Sequence, residues 1–137
     1  MPIDQRTECL EPTQSGAPPL VGVVDDDVSL LRALQRLLRA DGFGVSTFSS
    51  AEEFLGSPGR CAVACLVLDV HLGGMNGFEL QERLAASGSR VPVLFITARD
   101  DASTQERARQ AGAVDYLRKP FDDMVLLAAV HKALGRA

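Results

Sequence analysis

Histidine and cysteine are scarce in this 137-residue chain, with two of the former and three of the latter. Cys61 and Cys65 have three residues between them, and with His71 and His131 as the only imidazoles no zinc-binding spacing emerges. An odd number of thiols, in a chain large enough to form a core without staples, fits reduced cysteines rather than a disulfide framework. Long hydrophobic runs are missing as well. Residues 91–98, among the most apolar, include Pro92 and Thr97 and fall far below a membrane-spanning length. Residues 1–6 show no basic stretch leading into an apolar one, so no secretory signal is read and a cytoplasmic location is expected. Basic excess is absent too: the formal net charge is -4, which argues against a dedicated nucleic-acid binder.

What is present describes one globular unit. The hydrophobic fraction of 46% is enough for a single core, and the length leaves no room for two ordinary domains. Residues 1–17 read as a flexible tail, rich in Pro, Ser, Gln and Gly and without an apolar period, so the ordered domain is expected over residues 18–137. From Leu20 the pattern alternates between short apolar runs and amphipathic stretches. Strands are expected at residues 20–24, 45–48, 63–70, 91–97 and 114–117. Helices are expected from Asp27 to Gly42, from a capping box at Ser50-Ala51-Glu52-Glu53 to Gly56, and over residues 78–86 and 102–111. A last helix is capped by Asp122 or Asp123, with Leu127, Val130 and Leu134 inward. The helix over residues 102–111 has few large apolar groups and is expected to pack weakly.

Strands alternating with helices imply a doubly wound α/β fold, a five-stranded parallel sheet with helices on both faces. With the most apolar strands in the centre, the strand order is 2-1-3-4-5. Ligands of such sheets bind at the carboxyl ends of the strands, where the order reverses between strands one and three. Strand one ends in Asp25-Asp26-Asp27, strand three in Asp69 and strand four in Thr97-Ala98, and strand five leads to Lys119-Pro120. Each has an ordinary explanation alone: a helix cap for the Asp run, a turn for Asp69, a loop for Lys-Pro. Together they fall on one edge. Carboxylates roughly 5 Å apart repel by about 3 kcal/mol at an effective dielectric of 20, so a cation is needed among them. Hard oxygen ligands beside a phosphoryl group suit Mg²⁺. A carboxylate there can attack phosphorus and form an acyl phosphate. Lys119, one of two lysines in a chain that otherwise uses arginine, would supply a compact ammonium.

The motifs Val23-Val24-Asp25-Asp26-Asp27, Leu66-Val67-Leu68-Asp69, Met75-Asn76-Gly77, Phe95-Ile96-Thr97-Ala98 and Tyr116-Leu117-Arg118-Lys119-Pro120-Phe121, in this order, resemble the response-regulator receiver family of two-component signalling. Their flavour is similar to receivers of the nitrogen-fixation regulator type. The resemblance implies a phosphorelay role. Asp69 would accept a phosphoryl group from a sensor histidine kinase or phosphotransfer protein. Asp25, Asp26, Asp69 and the backbone carbonyl of His71 would hold Mg²⁺. Thr97 and Lys119 would contact phosphoryl oxygens, with a cis bond between Lys119 and Pro120, and Tyr116 would turn inward when Thr97 moves. The face of the fourth helix, fifth strand and fifth helix would report the state to a downstream protein partner, and phosphorylation could bring homodimerisation. Self-catalysed phosphoryl transfer and autodephosphorylation would be the only chemistry.

Some positions depart from that pattern or lie outside it. Members commonly have Pro where this chain has Gly73, so a looser loop is expected at Leu72-Gly73-Gly74-Met75. The imidazole of His71 is expected to face solvent, and Arg99 is a candidate for controlling the access of water to the acyl phosphate. Arg32, Arg36 and Arg39 share a helix face, either solvated or part of a kinase-docking surface. Only Gly135-Arg136-Ala137 follow Leu134, so neither an output domain nor direct DNA binding is expected. The competing reading is an aspartyl-phosphate phosphatase of the haloacid-dehalogenase type, with Asp25 as the nucleophile of a D-x-D motif.

Overall fold

A computed structural model of the chain describes residues 18–99 and 101–135; the expected tail at residues 1–17 lies outside the described residues. Five parallel strands, β1 (Leu20–Val24), β2 (Gly44–Phe48), β3 (Val63–Asp69), β4 (Val93–Thr97) and β5 (Asp115–Arg118), form one sheet in the order β2-β1-β3-β4-β5. Five helices alternate with them: α1 (Val28–Ala40), α2 (Ala51–Gly56), α3 (Gly77–Ala86), α4 (Ala102–Gln110) and α5 (Asp123–Ala133). A turn of 3₁₀ helix at Arg60–Ala62, which the sequence pattern did not announce, leads into β3.

The period of two along the central strands sorts their side chains onto two faces. Leu66, Leu68 and Phe95 join Phe54 of α2, Leu80 and Leu84 of α3 and Ala108 of α4 in one apolar layer. Val67, Leu94 and Ile96 point the other way, to Leu31, Leu34 and Leu38 of α1 and Leu126 and Val130 of α5. Both faces of β3 and β4 are therefore covered, and this is why these strands read as continuous apolar runs. β4 begins two residues later than the apolar run, because Val91 and Pro92 approach the sheet as irregular chain. The inward face of α5 is set by Leu126, Ala129 and Val130; Val130 is inward as expected, while Leu127 and Leu134 are only partly buried and Leu126 and Ala129 take the inward places.

Side-chain caps fix the helix starts. Asp27 accepts from the N–H groups of Ser29 and Leu30, Asp101 from Thr104, and Asp122 from Met124. Gly42, in the left-handed region at φ +94°, closes the end of α1. The box expected at α2 is half formed: the Ser50 hydroxyl accepts from the Glu53 N–H, but the Glu53 carboxylate accepts instead from the Ser49 hydroxyl. A complete box stands at α3, where Asn76 and Glu79 cap one another. Cys65 is a free, buried thiol as expected. Cys61 is disulfide-bonded, which corrects the expectation of reduced cysteines throughout. Among the described residues no helix is long and apolar enough to cross a membrane.

α3 begins where β3 has just ended, and the two approach so closely that a Cβ on Gly77 would collide with the Asp69 carbonyl oxygen and come within 3.0 Å of the Val70 Cα. Both obstacles are backbone, so neither gives way cheaply. Gly77→Ala is expected to lower unfolding free energy by about 1–3 kcal/mol, the usual range for overpacking a fixed site, read from urea denaturation; an unchanged midpoint would show that this approach has slack.

Candidate functional site

The strand order places the ends of β1, β3 and β4 side by side, and the side chains that the sequence singled out meet there. Asp25 is fully buried, Asp69 is 3% exposed and Thr97 is fully buried, so three polar side chains close the carboxyl edge of an apolar sheet. Oxygens of Asp25, Asp26 and Asp69 all lie within 4.8 Å of one another. Lys119 reaches in from the loop after β5, its Nζ 2.6 Å from Asp25 Oδ2 and 3.4 Å from Asp69 Oδ2. Its backbone N–H donates to the Thr97 carbonyl at 2.7 Å, and the Lys119–Pro120 bond is cis.

The carboxylates differ in what they have left to offer. Asp25 is the more tightly bonded, since its Oδ1 accepts the Asp27 N–H at 2.9 Å while its Oδ2 holds Lys119. Asp69 accepts the His71 N–H at Oδ1, 3.2 Å away, and has only the longer contact to Lys119 at Oδ2. Asp26 is exposed and has no hydrogen bond or ion pair among the described residues. Burial, then the charge of Asp25, pushes the Asp69 carboxyl above its ordinary value, and Lys119 and the His71 N–H offset this only in part. Burial works against the Lys119 ammonium, but the hydrogen bond to Asp25 and the two negative charges outweigh it and raise its pKa. The cup is short of positive charge with one ammonium in place. Its free donors are hard oxygens, which fits Mg²⁺ rather than a soft metal.

Thr97 and Tyr116 meet at one atom. The Thr97 hydroxyl donates to the Arg99 carbonyl at 3.0 Å and accepts the Arg99 N–H at 3.0 Å. The Tyr116 hydroxyl donates to the same carbonyl at 3.1 Å. His71 is exposed, as expected for its imidazole. Two contacts escaped sequence reading: the Glu52 carboxylate accepts the Met75 N–H across 23 residues, and the Arg107 guanidinium lies 4.7 Å from the Phe78 ring centre. Neither pair has a fixed spacing along the chain, whereas the Asn76-x-x-Glu79 box was readable.

A sequence model of the response regulator receiver domain matches residues 21–131. The chain belongs to that family. It is 41% identical over 118 residues to the response regulator protein TmoT of Ectopseudomonas mendocina, covering 86% of this chain and 54% of that protein. It is 43% identical over 124 residues to nodulation protein W of Bradyrhizobium diazoefficiens, covering 90% of this chain and 55% of that one. The chain spans about half the length of the curated relatives it matches. A crystal structure of a receiver protein from Burkholderia phymatum superposes with a TM-score of 0.76 at 49% identity, covering 87% of this chain and 97% of that chain. The chain is thus a receiver domain of two-component signalling, a signalling domain whose family implies a histidine kinase as partner.

The raised carboxyl of Asp69 has a consequence for stability. A folded-state pKa above the ordinary 3.8 means that the folded receiver holds that proton more tightly than the unfolded chain does. The group favours folding below the ordinary value and loses that contribution as pH rises through the folded one. Without divalent cations at pH 7, Asp69→Asn is expected to stabilise the domain by about 1 kcal/mol, the order left when like-charge repulsion is set against the pull of Lys119. Calorimetric melts at pH 7 and at pH 3.5 should show the gain shrinking in acid; a gain independent of pH would contradict this electrostatic account.

Proposed function

We propose that this receiver accepts a phosphoryl group on Asp69 from a histidine kinase or phosphotransfer protein, in a Mg²⁺-dependent step, and that residues 18–137 form the working domain, acting in the cytoplasm. The observation that carries this reading is the unequal bonding of the buried carboxylates. Asp25 carries a close hydrogen bond on each oxygen and keeps only their second lone pairs for a cation, whereas Asp69 keeps an oxygen with only a 3.4 Å contact to Lys119. The same observation disfavours the haloacid-dehalogenase alternative, which needs Asp25 as the nucleophile.

The carboxylates of Asp25, Asp26 and Asp69 and the backbone carbonyl of His71 would hold Mg²⁺, whose charge offsets that of the phosphoryl group. An Asp69 oxygen attacks phosphorus as the bond to the donor imidazole nitrogen breaks, and the electron pair leaves with that nitrogen. The Lys119 ammonium, already beside Asp69, steadies the negative oxygens of the group in transfer. The Thr97 hydroxyl turns its proton from the Arg99 carbonyl to a phosphoryl oxygen, so the Arg99 carbonyl is left to Tyr116. The face made by α4, β5 and α5 then reports the state, to a protein partner or to a second copy of the chain. α4 is suited to move, because Thr104 and Ala108 are its only buried residues. For the donor, an apolar groove of about 510 Å³ opens beside Lys119 between Leu30, Leu34 and Leu37 of α1 and Pro120-Phe121. The three arginines of α1 do not line it, which favours a solvated face for them.

Incubation with Mg²⁺ and acetyl phosphate, followed by mapping of the acid-stable, base-labile modification, should place it on Asp69, with none in Asp69→Asn. Lys119→Ala is expected to slow labelling by about 10²-fold, as for removal of one charge-stabilising donor. Label on Asp25 would overturn the proposal.

A further inference from the structure

The segment between β3 and α3, residues 70–76, forms one wall of the acidic cup, since its His71 N–H bonds Asp69 Oδ1. It has little stiffness of its own. Gly73 and Gly74 are consecutive, Gly74 is in the left-handed region at φ +74°, and a Cβ on Gly73 would meet nothing within 4 Å. Leu72 is anchored by burial in the core. At its far end Asn76 is tied to Glu79 of α3 by the capping box, and Met75 packs partly buried against the core. Between Leu72 and Asn76, the hydrogen bond to the segment from elsewhere among the described residues is the one from Met75 N–H to Glu52 Oε2 of α2, 3.1 Å long.

Glu52 bonds this loop as well as its own backbone N–H at the start of α2. Ser50 caps α2, and the neighbouring Glu53 is taken up by Ser49. The Glu52 carboxylate lies so close over Gly74 that a Cβ there would stand 3.0 Å from Oε2. Its own backbone N–H, the Met75 N–H and the more distant Arg83 charge together hold it below the ordinary carboxylate range, so it is an anion at neutral pH.

We propose that Glu52 is a positioning residue for the receiver site: by holding the Met75 N–H it fixes the Gly73-Gly74 segment and, through it, the setting of His71 and Asp69 at the cup. The inference rests on the Mg²⁺ reading given above and adds a residue on a remote helix to it. Glu52 touches neither phosphoryl group nor metal. Its effect is on the freedom of a wall.

The test uses the full chain labelled with ¹⁵N, with amide hydrogen exchange and Mg²⁺ titration both followed by NMR. In Glu52→Ala the Met75 amide should exchange several-fold faster. The Mg²⁺ dissociation constant should rise roughly threefold to tenfold, below the 10–100-fold typical of losing a direct outer contact to a metal ligand. Glu52→Gln keeps a carbonyl oxygen for the Met75 N–H and should stay near wild type. Gly73→Pro added to Glu52→Ala should restore the Mg²⁺ affinity, because the Gly73 N–H has no partner among the described residues, its φ is not positive, and a Cβ there meets nothing within 4 Å. A role confined to α2 would not be rescued by a proline in another segment, so failure of that rescue overturns the inference. So does a Glu52→Ala protein with wild-type exchange and affinity. A wild-type protein that binds no Mg²⁺ removes the reading beneath it; wild-type binding with an indifferent Glu52→Ala removes this inference alone.

Discussion

Lys119 holds together a site that would otherwise repel itself. Two carboxylates buried at neighbouring strand ends are unfavourable in a low-dielectric interior, and a single ammonium placed 2.6 Å from one and 3.4 Å from the other makes the arrangement tolerable. The compensation is incomplete, as the raised Asp69 carboxyl shows. The residual shortage of positive charge is consistent with the Mg²⁺ binding proposed for the site. A perfectly neutralised cluster would be more stable and would have no reason to bind a cation. Part of the domain's stability is therefore held back at this edge of the sheet.

Much of this was legible in the sequence because it depended on strand ends. A parallel sheet with short crossovers brings the carboxyl ends of its strands to one edge whatever their distance along the chain. Asp25, Asp69, Thr97 and Lys119 could be placed together once their strands were recognised. β3 and β4 declared themselves by unbroken apolar runs, which burial on both faces requires. The weaker points had equally physical causes. The phase of α5 slipped because Leu126 and Leu127 are adjacent and only packing decides which one turns inward. The box at α2 closed only halfway because the Ser49 hydroxyl takes the Glu53 carboxylate that a full box would turn to the Ser50 N–H. Glu52 and Met75 could not be paired at all, since nothing in a one-dimensional pattern reports which loop a surface carboxylate reaches.

The fold also explains where rigidity is concentrated and where it is withheld. β3 is central, and α3 is pressed against its end through Gly77, so the strand that ends in Asp69 is held firmly on that side. α4, by contrast, is fastened by Thr104, Ala108 and the stacking of Arg107 on Phe78. On the proposed reading, a firmly held Asp69 strand and a loosely held α4 are the division that a two-state element needs.

The Arg99 carbonyl has two lone pairs, and the Thr97 and Tyr116 hydroxyls both donate to it. Thermodynamic reciprocity applies to such sharing. If losing the Thr97 bond alters the hold on Tyr116, then a protein that grips Tyr116 from outside must alter, by the same free energy, how readily Thr97 lets go. On the proposed reading, a downstream listener would in this sense also be an effector of the message, and its abundance would help to set how much of the signal the receiver carries.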